Sequence, residues 1–160
     1  MTGIGSASAY GLAEGEGERH WFVGALMVRK AGRTETGGAF DLLDQTMPAH
    51  YSVPRHIHRQ EDEAWFVLDG DITFQCGDRQ LHVERGGWIF APRNVPHTFK
   101  VGNAGARALT LTSPSGFAEF VAEMGEPATE LIIPRAAPVD EQLLAQVATR
   151  YGVEIVGPPL

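Results

Sequence analysis

Turn-forming residues recur along the middle of this chain at the spacing of short, closely packed strands. Between residues 63 and 113, Asp69-Gly70, Gly77-Asp78 and Gly86-Gly87 interrupt runs rich in aromatic and β-branched residues. Intervals of about 8 to 12 residues between turns are typical of an all-β sandwich or barrel. Nineteen glycines and ten prolines in 160 residues agree with this interpretation, because both residue types favour turns. The sequence therefore predicts an all-β domain.

The clearest strand signal is a pair of β-favouring runs, 64–68 and 71–75, on either side of Asp69-Gly70. Two such runs around Asp-Gly predict a hairpin. Similar runs predict further strands at 21–29, 37–47, 80–84, 88–91, 98–101 and 106–112.

The chain changes to helical periodicity after Pro114. A first helix is predicted between an N-cap at Ser115 and a C-cap at Gly125. Its apolar face is formed by Phe117, Phe120, Val121 and Met124. A second helix is predicted over about 139–151, with Asp140 in its first turn and Gly152 after its end. Its apolar face is formed by Leu143, Leu144, Val147 and Tyr151.

This pattern divides the chain into three parts. We expect a flexible lead-in over residues 1–18, a β-barrel over 19–113 and a C-terminal helical segment over 114–160. The helical segment is expected to pack on the barrel, because it is too small to bury a separate core.

Charge and composition exclude several classes of function. Thirteen Lys and Arg against twenty Asp and Glu give a net charge of −7, which argues against nucleic acid or an anionic membrane surface as a partner. One cysteine, Cys76, can form neither an intramolecular disulfide nor a thiolate metal site. With no membrane-length apolar stretch and no signal-peptide pattern, the default expectation is a cytoplasmic protein.

Four residues form a pattern that is typical of a functional site. His56 and His58 are two apart, so in a strand both imidazoles point to the same face. Glu63 opens the following strand, and His97 precedes a later one. Three imidazoles and one carboxylate suit a divalent transition metal such as iron, manganese, nickel, cobalt, copper or zinc. We call these four residues the imidazole–carboxylate centre.

A structural interpretation of the same residues is open at this point. Six histidines in 160 residues will sometimes fall two apart by chance. Glu61, Asp62 and Glu63 could form a solvated charge cluster in a turn, and His97 could be an ordinary histidine at a strand end. The whole pattern, rather than any one residue, favours a metal site.

That pattern resembles the cupin superfamily. Its first motif has Gly, five residues, His-x-His, three or four residues, Glu, six residues and Gly; His56, His58, Glu63 and Gly70 match it. Its second motif has Gly, five residues, Pro-x-Gly, two residues, His, three residues and Asn; Gly86, Pro92 and His97 match it. His50, Asn94 and Val101 stand where the motifs have Gly, Gly and Asn. These changes affect the turns of the motifs and none of the ligand positions. Asn94 is a mild change because Asn tolerates the left-handed backbone, and we do not expect His50 to be a fifth ligand.

Over nearly the whole chain the sequence looks like bacterial single-domain cupins described as quercetin-dioxygenase-like. The resemblance implies a double-stranded β-helix, or jelly roll, with one metal per chain held by His56, His58, Glu63 and His97. It also implies that a substrate enol oxygen binds the metal, that Glu63 can accept the enol proton, and that the protein pairs as a homodimer. The favoured function is a dioxygenase acting on a small enol-containing or aromatic, flavonol-like molecule.

Two alternatives remain open. One is a metal-dependent isomerase, cyclase or lyase that does not use dioxygen, and the other is a cupin that binds a small molecule without turnover. Strand alternation places Trp65 and Val67 on the face of Glu63, and Phe99 on the face of His97. We predict that Trp65, Val67 and Phe99 line the pocket; the alternative for Trp65 and Phe99, which the pattern favours somewhat, is that they are plain barrel core.

Overall fold

The computed structural model describes residues 8–160, so residues 1–7 of the predicted lead-in lie outside it. Within the described residues there are ten strands and three short helices. In chain order they are β1 (Glu18–Phe22), β2 (Ala25–Ala31), α1 (Arg33–Thr36), β3 (Asp41–Met47), β4 (Pro54–His58), β5 (Asp62–Cys76), β6 (Arg79–Glu84), β7 (Trp88–Ala91), β8 (His97–Ser113), α2 (Phe117–Met124), β9 (Glu126–Pro127), α3 (Glu141–Arg150) and β10 (Val153–Pro159). The predicted all-β jelly roll with two C-terminal helices is confirmed.

Two long strands, β5 and β8, join the two halves of the barrel. Residues 106–112 of β8 and 62–67 of β5 lie in one half, which has the order β9-β1-β2-β3-β8-β5-β7. Residues 97–101 and 72–76 of the same two strands lie in the other half, ordered β10-β4-β8-β5-β6. All these pairs are antiparallel, as in a jelly roll.

The predicted hairpin at Asp69-Gly70 is wrong. The strand β5 continues through these residues and stays paired with β8, with register shifts on either side of them. Gly70 has φ 77°, and a Cβ at this position would lie 2.2 Å from the carbonyl oxygen of Gly105. Asp-Gly therefore bends a long strand here instead of reversing it, because pairing with a distant strand overrides the local turn signal.

Three other predicted strands had the wrong bounds. The runs 98–101 and 106–112 belong to the single strand β8, whereas the run 21–29 contains two strands, β1 and β2. Val23 and Gly24 form the two-residue turn between them, with φ 49° and 86°. Positive φ at both positions is the requirement of the tight turn that matches the twist of a hairpin.

Both predicted C-terminal helices are present, but the first has a different cap. Gly116, rather than Ser115, is the N-cap residue of α2, and the helix is capped by Asp41 of β3. The Asp41 carboxylate accepts hydrogen bonds from the backbone N–H groups of Gly116 and Ala118 at 2.8 and 2.9 Å. Asp140 caps α3 by accepting a hydrogen bond from the backbone N–H of Leu143 at 2.9 Å.

The last strand was not predicted from the sequence. After α3, the segment β10 pairs antiparallel with β4, the strand that carries His56 and His58. Gly157, Pro158 and Pro159 are unfavourable in most strands, yet an edge strand with register shifts tolerates them. The division of the chain at 113/114 stays a prediction, although α2 and β10 contact barrel strands and α3 packs against α2 and β10.

The main hydrophobic core fills the barrel between its two halves, and a second apolar cluster lies beneath α2 and α3. Part of the predicted lead-in contacts the barrel, since the Tyr10 hydroxyl donates a hydrogen bond to the Lys30 carbonyl at 2.7 Å. Among residues 8–160, the structure has no helix with the length and apolar character needed to cross a membrane.

Candidate metal centre

Three neighbouring strands bring the imidazole–carboxylate centre together. Alternation along β4 turns His56 and His58 to one face and Ile57 to the opposite, buried face. His97, the first residue of β8, is the direct cross-strand partner of His56. Glu63 lies near the start of β5. One potential ligand atom from each of the four residues lies within 4.8 Å of the others.

Each imidazole is oriented through its Nδ1 atom. The Nδ1 atoms of His56 and His97 lie 2.7 and 3.0 Å from the carbonyl oxygens of Pro54 and Val95. Carbonyl oxygens only accept hydrogen bonds, so both Nδ1 atoms must carry the hydrogen. His58 Nδ1 lies 2.8 Å from a carboxylate oxygen of Glu61. This arrangement leaves the three Nε2 atoms as the available ligand atoms.

The Nε2 atoms face the Glu63 carboxylate. Oε2 of Glu63 lies 3.0 Å from His58 Nε2, 3.1 Å from His97 Nε2 and 4.0 Å from His56 Nε2. Although it is close to Glu63, His58 Nε2 has no hydrogen-bond partner of adequate geometry among the described residues. A buried nitrogen without a partner is costly in a protein made only of these groups, and a metal ion would satisfy it.

Charge and burial act against each other in this centre. Burial lowers the pKa of His56 to about 3, and the nearby positive charges of His97 and His58 act in the same direction. Burial also lowers the pKa of His58, but the carboxylates of Glu63 and Glu61 outweigh it and raise the pKa to about 10. For Glu63 burial raises the pKa, yet His58 and His97 hold it well below its usual range. The imidazoles therefore favour the ionised form of Glu63, which is the form that binds a cation.

These observations fit a divalent transition metal. Three imidazole nitrogens and one carboxylate oxygen are a donor set that such ions accept, and all four side chains lie within reach of one point. The four residues could hold the ion through the Nε2 atoms and Glu63 Oε2, and the same donor set suits several metals.

Glu61 has a role that the sequence analysis did not assign. Rather than being solvated, it is 3% exposed and its carboxylate accepts the Nδ1 hydrogen of His58. Asp62, one residue later, is more exposed and forms an ion pair with Arg93. The spacing of Glu61, three residues after His58, was visible in the sequence, but nothing in the sequence distinguished it from its acidic neighbours.

A largely apolar cavity of about 70 Å³ opens beside the centre. We call the lining residues from the β1–β8 part of the chain the barrel wall; they are Phe22, Val23, Met27, Gln45, Tyr51, Val53, Pro54, His56, His58, Glu63, Trp65 and Phe99. The remaining lining residues form the C-terminal wall; they are Phe117, Phe120, Leu144, Ala148, Val153 and Ile155. The two walls meet where the rings of His58 and Phe117 are 5.7 Å apart.

The predicted pocket residues lie in two environments. Trp65 and Phe99 line the cavity and also pack in the barrel core, so the two interpretations of these residues are compatible. Val67 is completely buried in that core and is not among the lining residues. His50 is exposed and lies outside both the cavity and the centre. His50 and Asn94 adopt left-handed φ values of 61° and 65° where the resembling motif has glycine.

Comparison with known proteins agrees with this geometry. Residues 43–113 match the family model described as Cupin domain. Quercetin 2,3-dioxygenase from Bacillus subtilis (strain 168) is 23% identical over 128 residues, which are 80% of this chain and 38% of that protein. The chain therefore spans well under half the length of that relative.

Solved structures support the same fold. KdgF from Halomonas sp. superposes with a TM-score of 0.58 at 13% identity, over 67% of this chain and 94% of that one. An RmlC-like cupin from Shewanella frigidimarina NCIMB 400 superposes with a TM-score of 0.58 at 14% identity, over 68% of this chain and 92% of that one. At these identities the similarity establishes the fold alone.

Proposed function

Because this chain belongs to the cupin superfamily, we propose that it is a metal-dependent dioxygenase acting on a small enol-containing or aromatic, flavonol-like molecule. The proposed site is the imidazole–carboxylate centre with the cavity beside it. The distant similarity to a quercetin 2,3-dioxygenase supports this choice of reaction.

One observation carries the proposal. Three Nε2 atoms and a carboxylate oxygen converge beside a largely apolar cavity, and all three Nδ1 atoms are already held by acceptors. A structural cluster has no need to fix three imidazoles with their ring nitrogens turned towards one another. A divalent metal bound there would act as a Lewis acid that lowers the pKa of an enol hydroxyl.

The chain's own residues provide binding and proton transfer. Trp65, Phe99 and Phe117 offer ring surfaces suited to a flat apolar molecule, and the enclosing walls limit the access of water. The positive charge of His58 and His97 and their hydrogen bonds to Glu63 lower its pKa, so Glu63 is a better acceptor for the enol proton when these imidazoles are neutral. We therefore assign Glu63 first as a metal ligand. Proton transfer from the enol is its second role.

The first experiment is elemental analysis of the purified protein beside a His56→Ala, His97→Ala double variant. A His50→Ala, His82→Ala variant is the matched control, since both of these histidines are exposed. We expect near-stoichiometric redox-active metal in the wild type and in the control, with loss in the test variant. Oxygen uptake on addition of flavonols and β-diketones would then follow the metal.

Two other results of this experiment would contradict the proposed dioxygenase. Zinc that is lost in the same variant, with no oxygen uptake, would favour the isomerase, cyclase or lyase alternative. No metal in any of the proteins, even after reconstitution, would overturn the proposal.

A further inference from the structure

The barrel wall carries a second polar position that the imidazole–carboxylate centre does not use. Tyr51 is 8% exposed and lines the cavity. Its hydroxyl has no hydrogen-bond partner among the described residues. A buried hydroxyl without a partner costs about 1–3 kcal/mol, so its presence on a residue that lines the cavity needs a reason.

The Tyr51 side chain is held in place by its surroundings. The backbone N–H of Tyr51 donates to the Pro48 carbonyl at 3.2 Å, and its carbonyl accepts from the Val101 N–H at 2.8 Å. The ring packs on Phe99 with 6.0 Å between the ring centroids, and a Cβ at Gly24 would lie 3.6 Å from it. The side chain therefore has little freedom to carry its hydroxyl to another partner within the protein.

A chain of ring contacts separates Tyr51 from the centre. Phe99 lies between Tyr51 and Trp65, at 6.0 and 5.9 Å between centroids, and Trp65 contacts His97 at 5.8 Å. No hydrogen bond or ion pair in the described part of the chain joins Tyr51 to the four residues of the centre. Tyr51 is thus a polar position on the same cavity, distinct from the centre.

A second donor lies on the same wall. Gln45 is buried and lines the cavity, and its amide oxygen accepts a hydrogen bond from the Thr110 hydroxyl at 2.9 Å. With the amide in that orientation, its nitrogen is the group left to donate. Burial raises the pKa of Tyr51 far above its usual value, so its hydroxyl stays protonated and can donate at any physiological pH.

We propose that Tyr51 binds the substrate by donating a hydrogen bond from its hydroxyl to an oxygen acceptor remote from the reacting end, with Gln45 as a second donor. This inference rests on the proposed function, which places the reacting enol or phenol oxygen at the centre. It narrows the substrate to small, largely apolar molecules with two oxygen functions. One is the enol or phenol, and the other is a carbonyl-type acceptor at a distance from it.

The test uses zinc-loaded protein and two catechols of nearly the same shape. In 3,4-dihydroxyacetophenone a carbonyl stands where 4-ethylcatechol has a methylene, and zinc avoids oxidation of either probe. Dissociation constants are measured by calorimetry for the wild type, Tyr51→Phe and Tyr10→Phe. Tyr10→Phe is the control, because the Tyr10 hydroxyl bonds the Lys30 carbonyl outside the cavity.

We expect Tyr51→Phe to reduce the preference for the carbonyl probe about tenfold, while the affinity for 4-ethylcatechol stays within about threefold. The preference is the ratio of the dissociation constants of the two probes. The acetyl group changes catechol acidity equally for every protein, so comparing this ratio between proteins cancels that effect. Tyr10→Phe should keep the wild-type ratio. Urea unfolding of Tyr51→Phe should show no loss of stability, because the hydroxyl bonds no protein group.

Each contrary result has a distinct meaning. An unchanged ratio in Tyr51→Phe overturns the role of Tyr51. Zinc-loaded protein that binds neither probe also overturns it. Neither result contradicts the metal centre. Equal weakening of both probes also overturns the role of Tyr51, and indicates a hydroxyl that only holds water or shapes the cavity. Failure of the wild type to retain zinc overturns the proposed function together with this inference.

Discussion

The barrel wall and the C-terminal wall enclose the same cavity but differ in chemistry. Every ionisable or amide side chain that lines it comes from the barrel wall, including the imidazoles of the centre, Gln45 and Tyr51. The C-terminal wall supplies only apolar side chains. Strand pairing fixes neighbouring side chains in register, which suits groups that must converge on a point. A helix packed through an apolar face suits enclosure, which tolerates small displacements.

The largest expected effect is on the free energy of unfolding, in a variant of the C-terminal wall that should still bind metal. Phe120 of the C-terminal wall is buried and contacts the rings of Phe22, Phe117 and Tyr151 at 5.2, 5.8 and 5.7 Å between centroids. Phe120→Ala should lower the free energy of unfolding by about 3–5 kcal/mol, through lost contacts and the cavity left behind. Urea denaturation measures the loss, and the metal content of the folded protein should stay at its wild-type value.

The exposed Phe90 provides a matched control for the same substitution. It is 52% exposed on the outside of the sheet, so Phe90→Ala should cost about 0.5 kcal/mol or less. Equal losses for the two variants would contradict the packing described for Phe120. Loss of metal from folded Phe120→Ala would contradict the separation between the two walls.

A smaller effect is expected where a barrel residue orients His58, one of the proposed ligands. Glu61 accepts the Nδ1 hydrogen of His58 at 2.8 Å, so Glu61→Ala should weaken zinc binding about 10- to 100-fold. Glu61→Gln keeps an oxygen acceptor and should recover most of the affinity. Competition with a chelator measures the affinity, and the absorption spectrum of the cobalt-loaded protein reports the geometry around the ion.

The neighbouring acidic residue serves as the control for Glu61. Asp62→Ala removes an ion pair with Arg93 at the surface and should leave zinc affinity within about twofold of wild type. If Glu61→Gln binds zinc as weakly as Glu61→Ala, with the same altered cobalt spectrum, the hydrogen bond to His58 is not what Glu61 contributes.

Only some residues of the candidate site could be predicted from the sequence. His56 and His58 were identifiable because a spacing of two along one strand places both side chains on the same face. Glu63 and His97 were identifiable because the whole pattern resembles the cupin motifs. That the structure gathers them within 4.8 Å agrees with the pattern, while their function as ligands stays a prediction. Glu61 and Tyr51 could not be found this way, since their roles depend on burial and on contacts with distant segments.

Errors in the predicted fold have the same physical origin. Asp69-Gly70 carries a local signal for positive φ that serves a bend as well as a hairpin, and pairing of β5 with β8 decides between them. The strand β10 was missed because its glycine and prolines are compatible only with an edge position, which no local pattern reveals. The helices α2 and α3 were predictable because an amphipathic face is a local property of the sequence.

The smallest effect tests the C-terminal wall at a single hydrogen bond. Asp140 caps α3 through the backbone N–H of Leu143, and α3 supplies Leu144 and Ala148 to the cavity. Asp140→Ala should cost about 1 kcal/mol, whereas Asp140→Asn should stay within a few tenths because Asn is an equally good cap. Hydrogen exchange of the α3 amides measures the local loss beside urea unfolding of the whole chain.

Zinc affinity should not change in Asp140→Ala, because α3 contributes no residue to the centre. The reason is geometric: the four residues of the centre lie on β4, β5 and β8, whose register depends on strand pairing rather than on α3. A zinc affinity that falls in step with the stability of α3 would contradict this independence. It would mean that the contact between β10 and β4 transmits the position of the C-terminal segment to His56 and His58.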